Sequence, residues 1–138
     1  MGTQKVNCQI FTPQDVVVNM MDLLGYKDHL YGRRILENSC GNGRFLIEIT
    51  KRYIEDCRYN GYNDEEIRNG LARDIYAFEI DTDTFNDCIN NLNQLAQSYS
   101  ISDVEWSVFN KDALKTELPA DFSFVIGNPP YITYSALS

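Results

Sequence analysis

Val17, Met20, Met21 and Leu24 recur at three- and four-residue intervals, and this spacing predicts a helix with one apolar face. Thr12 can cap its start, Pro13 suits the first helical position, Asp15 sits where a carboxylate reaches back to the cap, and Gly25 closes the pattern. Arg34-Ile35-Leu36-Glu37 then reads as a short strand running into Asn38-Ser39-Cys40-Gly41-Asn42-Gly43. A helix follows from about Arg44, with Phe45, Leu46, Ile49 and Tyr53 on its buried side. Residues 55 to 73 are polar enough to predict a helical excursion on the surface, with Asn63 and Glu66 as a capping box ahead of Ile67 and Leu71. The apolar run Ile75 to Ile80 predicts a second, buried strand. Asp81 or Thr82 then caps a long helix in which Phe85, Cys88, Ile89, Leu92, Leu95, Ala96 and Tyr99 keep helical spacing. Val104, Trp106 and Val108 alternate with polar residues as in a half-buried strand. Phe122 to Ile126 makes a fourth strand that runs into Gly127-Asn128-Pro129-Pro130-Tyr131.

Strands alternating with helices predict an α/β fold with a mostly parallel, doubly wound sheet, which places ligands at the carboxyl ends of its strands. The 138 residues suffice for one domain, 1–138, that buries roughly 68% of its unfolded surface. Hydrophobic residues make up 43% and charged residues 23%, and no stretch approaches the ~20 apolar residues of a membrane span. The amino terminus lacks a signal-peptide pattern, so a cytoplasmic location is expected. Twelve Lys and Arg against twenty Asp and Glu give a net charge of −8, a poor match to a polyanion. Cys8, Cys40, Cys57 and Cys88 form no C-x-x-C pair, and with His29 as the single histidine they read as free thiols rather than a zinc framework.

Four segments carry candidate chemistry. In Ser39-Cys40-Gly41-Asn42-Gly43 the glycines permit close approach of backbone to a ligand, although a tight turn would select them too, and the third glycine of the dinucleotide fingerprint is missing. Glu79, at the end of the second strand, is placed to accept hydrogen bonds from both hydroxyls of a ribose. It lies 36 residues beyond Gly43 instead of the usual ~20, and the helical excursion accounts for the extra length. Asp81 competes for that role but suits the helix cap better. Asp112, after the third strand, can accept from an exocyclic amine such as N6 of adenine, or serve only as a turn residue. In Asn128-Pro129-Pro130-Tyr131 the two prolines leave carbonyls without a sheet partner. The Asn128 amide and the Pro129 carbonyl can then accept both hydrogens of an amino group, while Tyr131 offers a ring for stacking.

Taken in order, Gln9-Ile10-Phe11-Thr12-Pro13, Leu36 to Leu46, Phe78-Glu79-Ile80-Asp81, Asp112 and Asn128-Pro129-Pro130-Tyr131 resemble the amino-terminal half of S-adenosylmethionine-dependent adenine-N6 DNA methyltransferases. The likeness is to the restriction-modification group whose cofactor motifs precede the catalytic tetrapeptide. This resemblance implies a Rossmann-like methyltransferase sheet of strand order 3-2-1-4, with S-adenosyl-L-methionine as cofactor. It implies that Thr12 faces the methionine end of the cofactor and that Glu37, Ser39 and Gly41 line its methionine and sulfonium region. Glu79 would hold the ribose, Ile80 would pack on the cofactor adenine and Asp112 would bind that adenine's amino group. Asn128 and Pro129 would hold the target amine, with Tyr131 stacked on the flipped base. Asn38 replaces the proline common after the acidic residue. A protein-glutamine N5 methyltransferase shares the tetrapeptide, but the position of Thr12-Pro13 ahead of the glycine loop argues against it. A catalytically inactive cofactor-binding or assembly module is the reading from a different class.

Only Ile132 to Ser138 follow the tetrapeptide, so the sequence reads as a truncated catalytic domain without its target-recognition domain, with DNA gripped mainly by parts outside this chain. Phe122 to Ile126 carries no charge to protect it as an edge strand, and a homodimer paired there is expected.

Overall fold

The structure is a computed structural model, and it describes residues 13–38, 43–112 and 121–126. The elements run α1 (Gln14–Leu24), β1 (Arg34–Glu37), α2 (Arg44–Tyr59), α3 (Asp64–Asp74), β2 (Ile75–Phe78), α4 (Thr82–Ser98), β3 (Ser107–Phe109) and β4 (Phe122–Ile126). All strand pairs are parallel and the order is β3-β2-β1-β4, as expected. β1 is therefore interior. Ile35 pairs with Ile75 on one side and with Phe124 on the other, and Ile35, Leu36 and Glu37 are all buried. No described helix is long and apolar enough to cross a membrane.

Local chemistry explains the element ends. α1 closes on Gly25, whose left-handed backbone (φ 87°) turns its N–H back onto the carbonyls of Met21 and Asp22. Its start differs from expectation. Pro13 occupies the cap position rather than the first helical one and Asp15 accepts from the adjacent Val16 N–H, while Thr12 lies outside the described residues. The predicted capping box of Asn63 and Glu66 is present with both bonds formed. Asp81 caps α4 by accepting from the Thr84 N–H.

The 55–73 segment is helical and largely exposed, as expected, but it also contributes to the core. α2 continues through it to Tyr59, and Cys57, Ile67 and Leu71 are fully buried members of the core. Few apolar residues are needed there because those present lie on the buried faces of α2 and α3, while the polar majority that suggested exposure lies on the other faces. The predicted strands are also shortened. β2 stops at Phe78, leaving Ile80 outside the ladder, and β3 spans only Ser107–Phe109, with Val104 buried and Trp106 donating to Asn93 from the preceding segment.

α2 is the hub on which α1, α3 and α4 pack. Arg52 ties α1 to it by donating to Glu48, to Asp22 and to the carbonyls of Val18 and Tyr26. Asp56 holds the approach to β1 by accepting the N–H groups of His29 and Leu30. At the α3–β2 junction, Asp74 is 1% exposed. It accepts the Tyr53 hydroxyl at 2.5 Å, the Gly32 N–H at 2.7 Å and both Nε and Nη2 of Arg73 at 2.8 Å. Gly70 leaves room for this arrangement, because a Cβ there would overlap the Tyr53 hydroxyl and crowd the Tyr31 ring.

Gly70→Ala should therefore destabilise the chain by about 1 to 3 kcal/mol in urea unfolding, the range for overpacking a core. Adding Tyr53→Phe should recover part of that loss, since it removes the obstructing oxygen. Independent costs in the two variants would contradict this packing. Burial, reinforced by the charges of Asp56 and Asp74, also pushes the Cys57 thiol from its ordinary 9.0 up to about 12. A raised folded pKa contributes stability that is complete below the unfolded value and lost as pH climbs through the folded one. The urea midpoint should therefore start to fall above about pH 9 and keep falling toward pH 12. Cys57→Ala should flatten the first part of that decline.

Candidate functional site

The carboxyl ends of the four strands converge, and two backbone hydrogen bonds fix how. At the end of β1 the Asn38 N–H donates to the Ile126 carbonyl at 3.1 Å, joining the exit of β1 to the exit of β4. At the end of β2 the Glu79 N–H donates to the Phe109 carbonyl at 2.9 Å, joining the exits of β2 and β3. The glycine loop and the Asn-Pro-Pro-Tyr segment thus leave the sheet from hydrogen-bonded neighbours, and the Glu79 and Asp112 segments do likewise.

Glu37 is the last residue of β1, in register between Ala77 and Ile126, and its side chain is fully buried. Gly43 leads into α2 with φ 88°, and a Cβ there would lie 3.6 Å from the Cys88 sulfur, an ordinary contact. Its left-handed backbone, rather than lack of space, is what calls for glycine. Because α2 begins at Arg44, its amino terminus lies at the same end of the sheet as the strand exits.

Glu79 is 8% exposed and accepts the Asp81 N–H on Oε2 at 2.9 Å. Asp81 itself is the α4 cap, and the Thr84 hydroxyl and N–H hold its carboxylate below the usual range. Asp81 thus takes the capping role expected from the sequence, and the Glu79 side chain is buried beside it. Ile80 lies between them with 70% of its surface exposed, although the sequence pattern reads it as the end of a buried strand. Asp112 follows β3 and is half-buried.

One participant escapes the sequence pattern. The Asn110 amide donates to the carbonyls of Glu79 and Ile80 at 2.8 and 3.1 Å, and its oxygen accepts the Thr82 hydroxyl at 3.0 Å. The only available signal is a carboxamide directly after a strand, which reads as an ordinary turn residue. Similarly, Gln14 at the start of α1 donates to the buried Glu48 at 3.2 Å, fixing where the α1 amino terminus sits on α2.

Of the residues singled out from sequence, Glu37, Glu79, Ile80 and Asp112 are therefore placed at one end of the sheet. Thr12, Ser39, Cys40, Gly41, Asn128, Pro129 and Tyr131 lie outside the described residues. Of the four cysteines, Cys57 and Cys88 are free and buried, whereas Cys8 is also outside that range.

A family model described as N-6 DNA Methylase matches residues 2–135. The chain is 33% identical over 131 residues to the type II methyltransferase M.PaeR7I of Pseudomonas aeruginosa, covering 89% of this chain and 23% of that protein. It is 30% identical over 132 residues to the type II methyltransferase M.XhoI of Xanthomonas vasicola, covering 89% of this chain and 24% of that protein. Among solved structures, the M protein of the type I restriction enzyme EcoKI superposes with a TM-score of 0.67 at 18% identity, over 89% of this chain and 25% of that one. The chain thus spans about a quarter of the length of these relatives.

Proposed function

The chain belongs to the N-6 DNA methylase family, and from that premise we propose that it forms the S-adenosyl-L-methionine site and the methyl-acceptor site of a restriction-modification DNA methyltransferase acting on N6 of adenine. The observation that carries this reading is the convergence of the strand exits, with β1 joined to β4 by Asn38 and Ile126 and β2 joined to β3 by Glu79 and Phe109. Every motif of the resemblance that follows a strand leaves from this one edge.

The described residues suit the cofactor. The inward carboxylate of Glu79 is chemically matched to a ribose diol. Ile80, held out of the core beside it, offers an apolar surface to a planar base, and Asp112 supplies an acceptor on the adjoining segment. Glu37 and the start of α2 adjoin the exit of β1, where Ser39 and Gly41 follow in the chain. Thr12 directly precedes the α1 terminus that Gln14 and Glu48 hold in place. S-adenosyl-L-methionine, when bound, supplies an activated methyl group. Asn128 and the Pro129 carbonyl accept the two hydrogens of the target amine, which concentrates its lone pair on nitrogen, and Tyr131 stacks on the base. A paired adenine cannot present its amine in this way, so the base is extruded from the duplex. The chain's own contribution to rate is orientation and stabilisation of the cationic amine as it develops. DNA is the partner, and the net charge of −8 means that this chain supplies little of the electrostatic grip.

Calorimetry on this chain should show binding of S-adenosylhomocysteine that Glu79→Ala weakens by about 1 to 3 kcal/mol, the scale of hydrogen bonds to a charged group. Equal affinity for NAD would refute the cofactor assignment. With labelled cofactor, methyl transfer to unmethylated DNA supports the adenine reading, transfer to a release-factor protein instead would establish glutamine methylation, and binding without transfer to either would leave a cofactor-binding module. The same reading includes self-association along β4, which among the described residues pairs only with β1 and carries no charged side chain. Sedimentation equilibrium should detect a dimer that Val125→Lys weakens, and a strictly monomeric chain at high micromolar concentration would exclude it.

A further inference from the structure

We propose that Asn110 is a positioning residue for the adenosine half of the cofactor site, an inference that rests on the cofactor reading above. Only Glu79, Ile80 and Asp81 connect β2 to α4. The carbonyls of Glu79 and Ile80 lie beyond the last β2–β3 pair, Phe78 with Phe109, so the ladder does not supply their donors. Asn110 supplies them from the first position after β3. Both of its contacts on this side are carbonyl oxygens, so the amide nitrogen must face them, and the amide oxygen is thereby turned to the Thr82 hydroxyl.

An exposed side chain has thus committed its donors and its acceptor to a single turn. Together with the Glu79 carboxylate on the Asp81 N–H and the Glu79 N–H on the Phe109 carbonyl, this fixes the turn from both sides. The outcome is an isoleucine held in solvent on a braced backbone beside an inward carboxylate. Asn110 also lies two residues before Asp112, so one carboxamide joins the turn bearing Glu79 and Ile80 to the segment bearing Asp112. Aspartate cannot replace it. A carboxylate there would face two carbonyl oxygens within a turn that already carries Glu79 and Asp81.

The test uses the chain as it is, with two probes: S-adenosylhomocysteine, and methylthioadenosine, which keeps the adenosine half and lacks the amino-acid half. By calorimetry, Asn110→Ala should weaken both by about ten-fold, the scale of one lost hydrogen bond, and by the same factor, because the loss lies in the portion the probes share. Asn110→Asp should weaken both at least as much, Lys111→Ala should leave both unchanged, and the urea midpoint of Asn110→Ala should match wild type. Unchanged affinity in the Asn110 variants of a chain that otherwise binds would overturn the inference and leave the cofactor reading standing. A loss confined to S-adenosylhomocysteine, or one accompanied by a matching fall in the urea midpoint, would also overturn it. A wild-type chain that binds neither probe would overturn both readings.

Discussion

The Asp74 carboxylate is the constraint from which the rest of the layout follows. Buried charge is tolerated only when it is paired and hydrogen-bonded, and here one aspartate draws partners from three places. Tyr53 comes from α2, Gly32 from the approach to β1, and Arg73 from the end of α3. β2 begins at the next residue. The relative heights of β1 and β2 are therefore set at their amino ends by one carboxylate, which requires Gly70 to remain without a side chain.

Fixing the amino ends has its effect at the carboxyl ends. β1 and β2 are four residues each, so a one-residue slip of β2 at Asp74 would carry Ala77 past Glu37 and Glu79 past Phe109 and invert the faces of β2. The residues that hold the strands in register and those of the candidate site thus occupy opposite ends of the same short strands. Asp74, Asp56 and Tyr53 hold one end, and Glu37, Glu79 and Asn110 shape the other. α1 is tied to α2 by its own bonds, Gln14 to Glu48 at the amino terminus and Arg52 to Asp22 and the Val18 carbonyl further along.

Most element boundaries were legible from sequence because hydrophobic spacing and end signals agreed, as at Gly25, Asn63 and Asp81, whereas the strand order was implied by the family resemblance alone. The capping role of Asp81 was legible because an aspartate directly ahead of a helical apolar pattern suits that position. Other features were hidden for identifiable reasons. The core contribution of the 55–73 region is hidden because composition averages over both faces of a helix, whereas Cys57 lies on the buried face of α2 and Ile67 and Leu71 on that of α3. Ile80 reads as buried because an apolar residue ending an apolar run gives no sign that the ladder stopped two residues earlier. Asn110 acts through partners 28 to 31 residues away in sequence and Asp74 draws Tyr53 and Gly32 from 21 and 42 residues away, and no local pattern encodes such distances.

The position of β1 also has consequences in time. One of its flanks pairs with β2, about 40 residues later, and the other with β4, about 90 residues later, so the central strand is the earliest made and the last to be completed. Such separations slow folding, because the loop must be closed before the pairing contributes. At ribosomal rates of ~5–20 residues per second, the β4-facing flank of a nascent β1 stays open for on the order of ten seconds. Through that interval Ile35 and Leu36 present an apolar, half-paired strand to whatever is nearby, making the chain's aggregation risk greatest during its own synthesis.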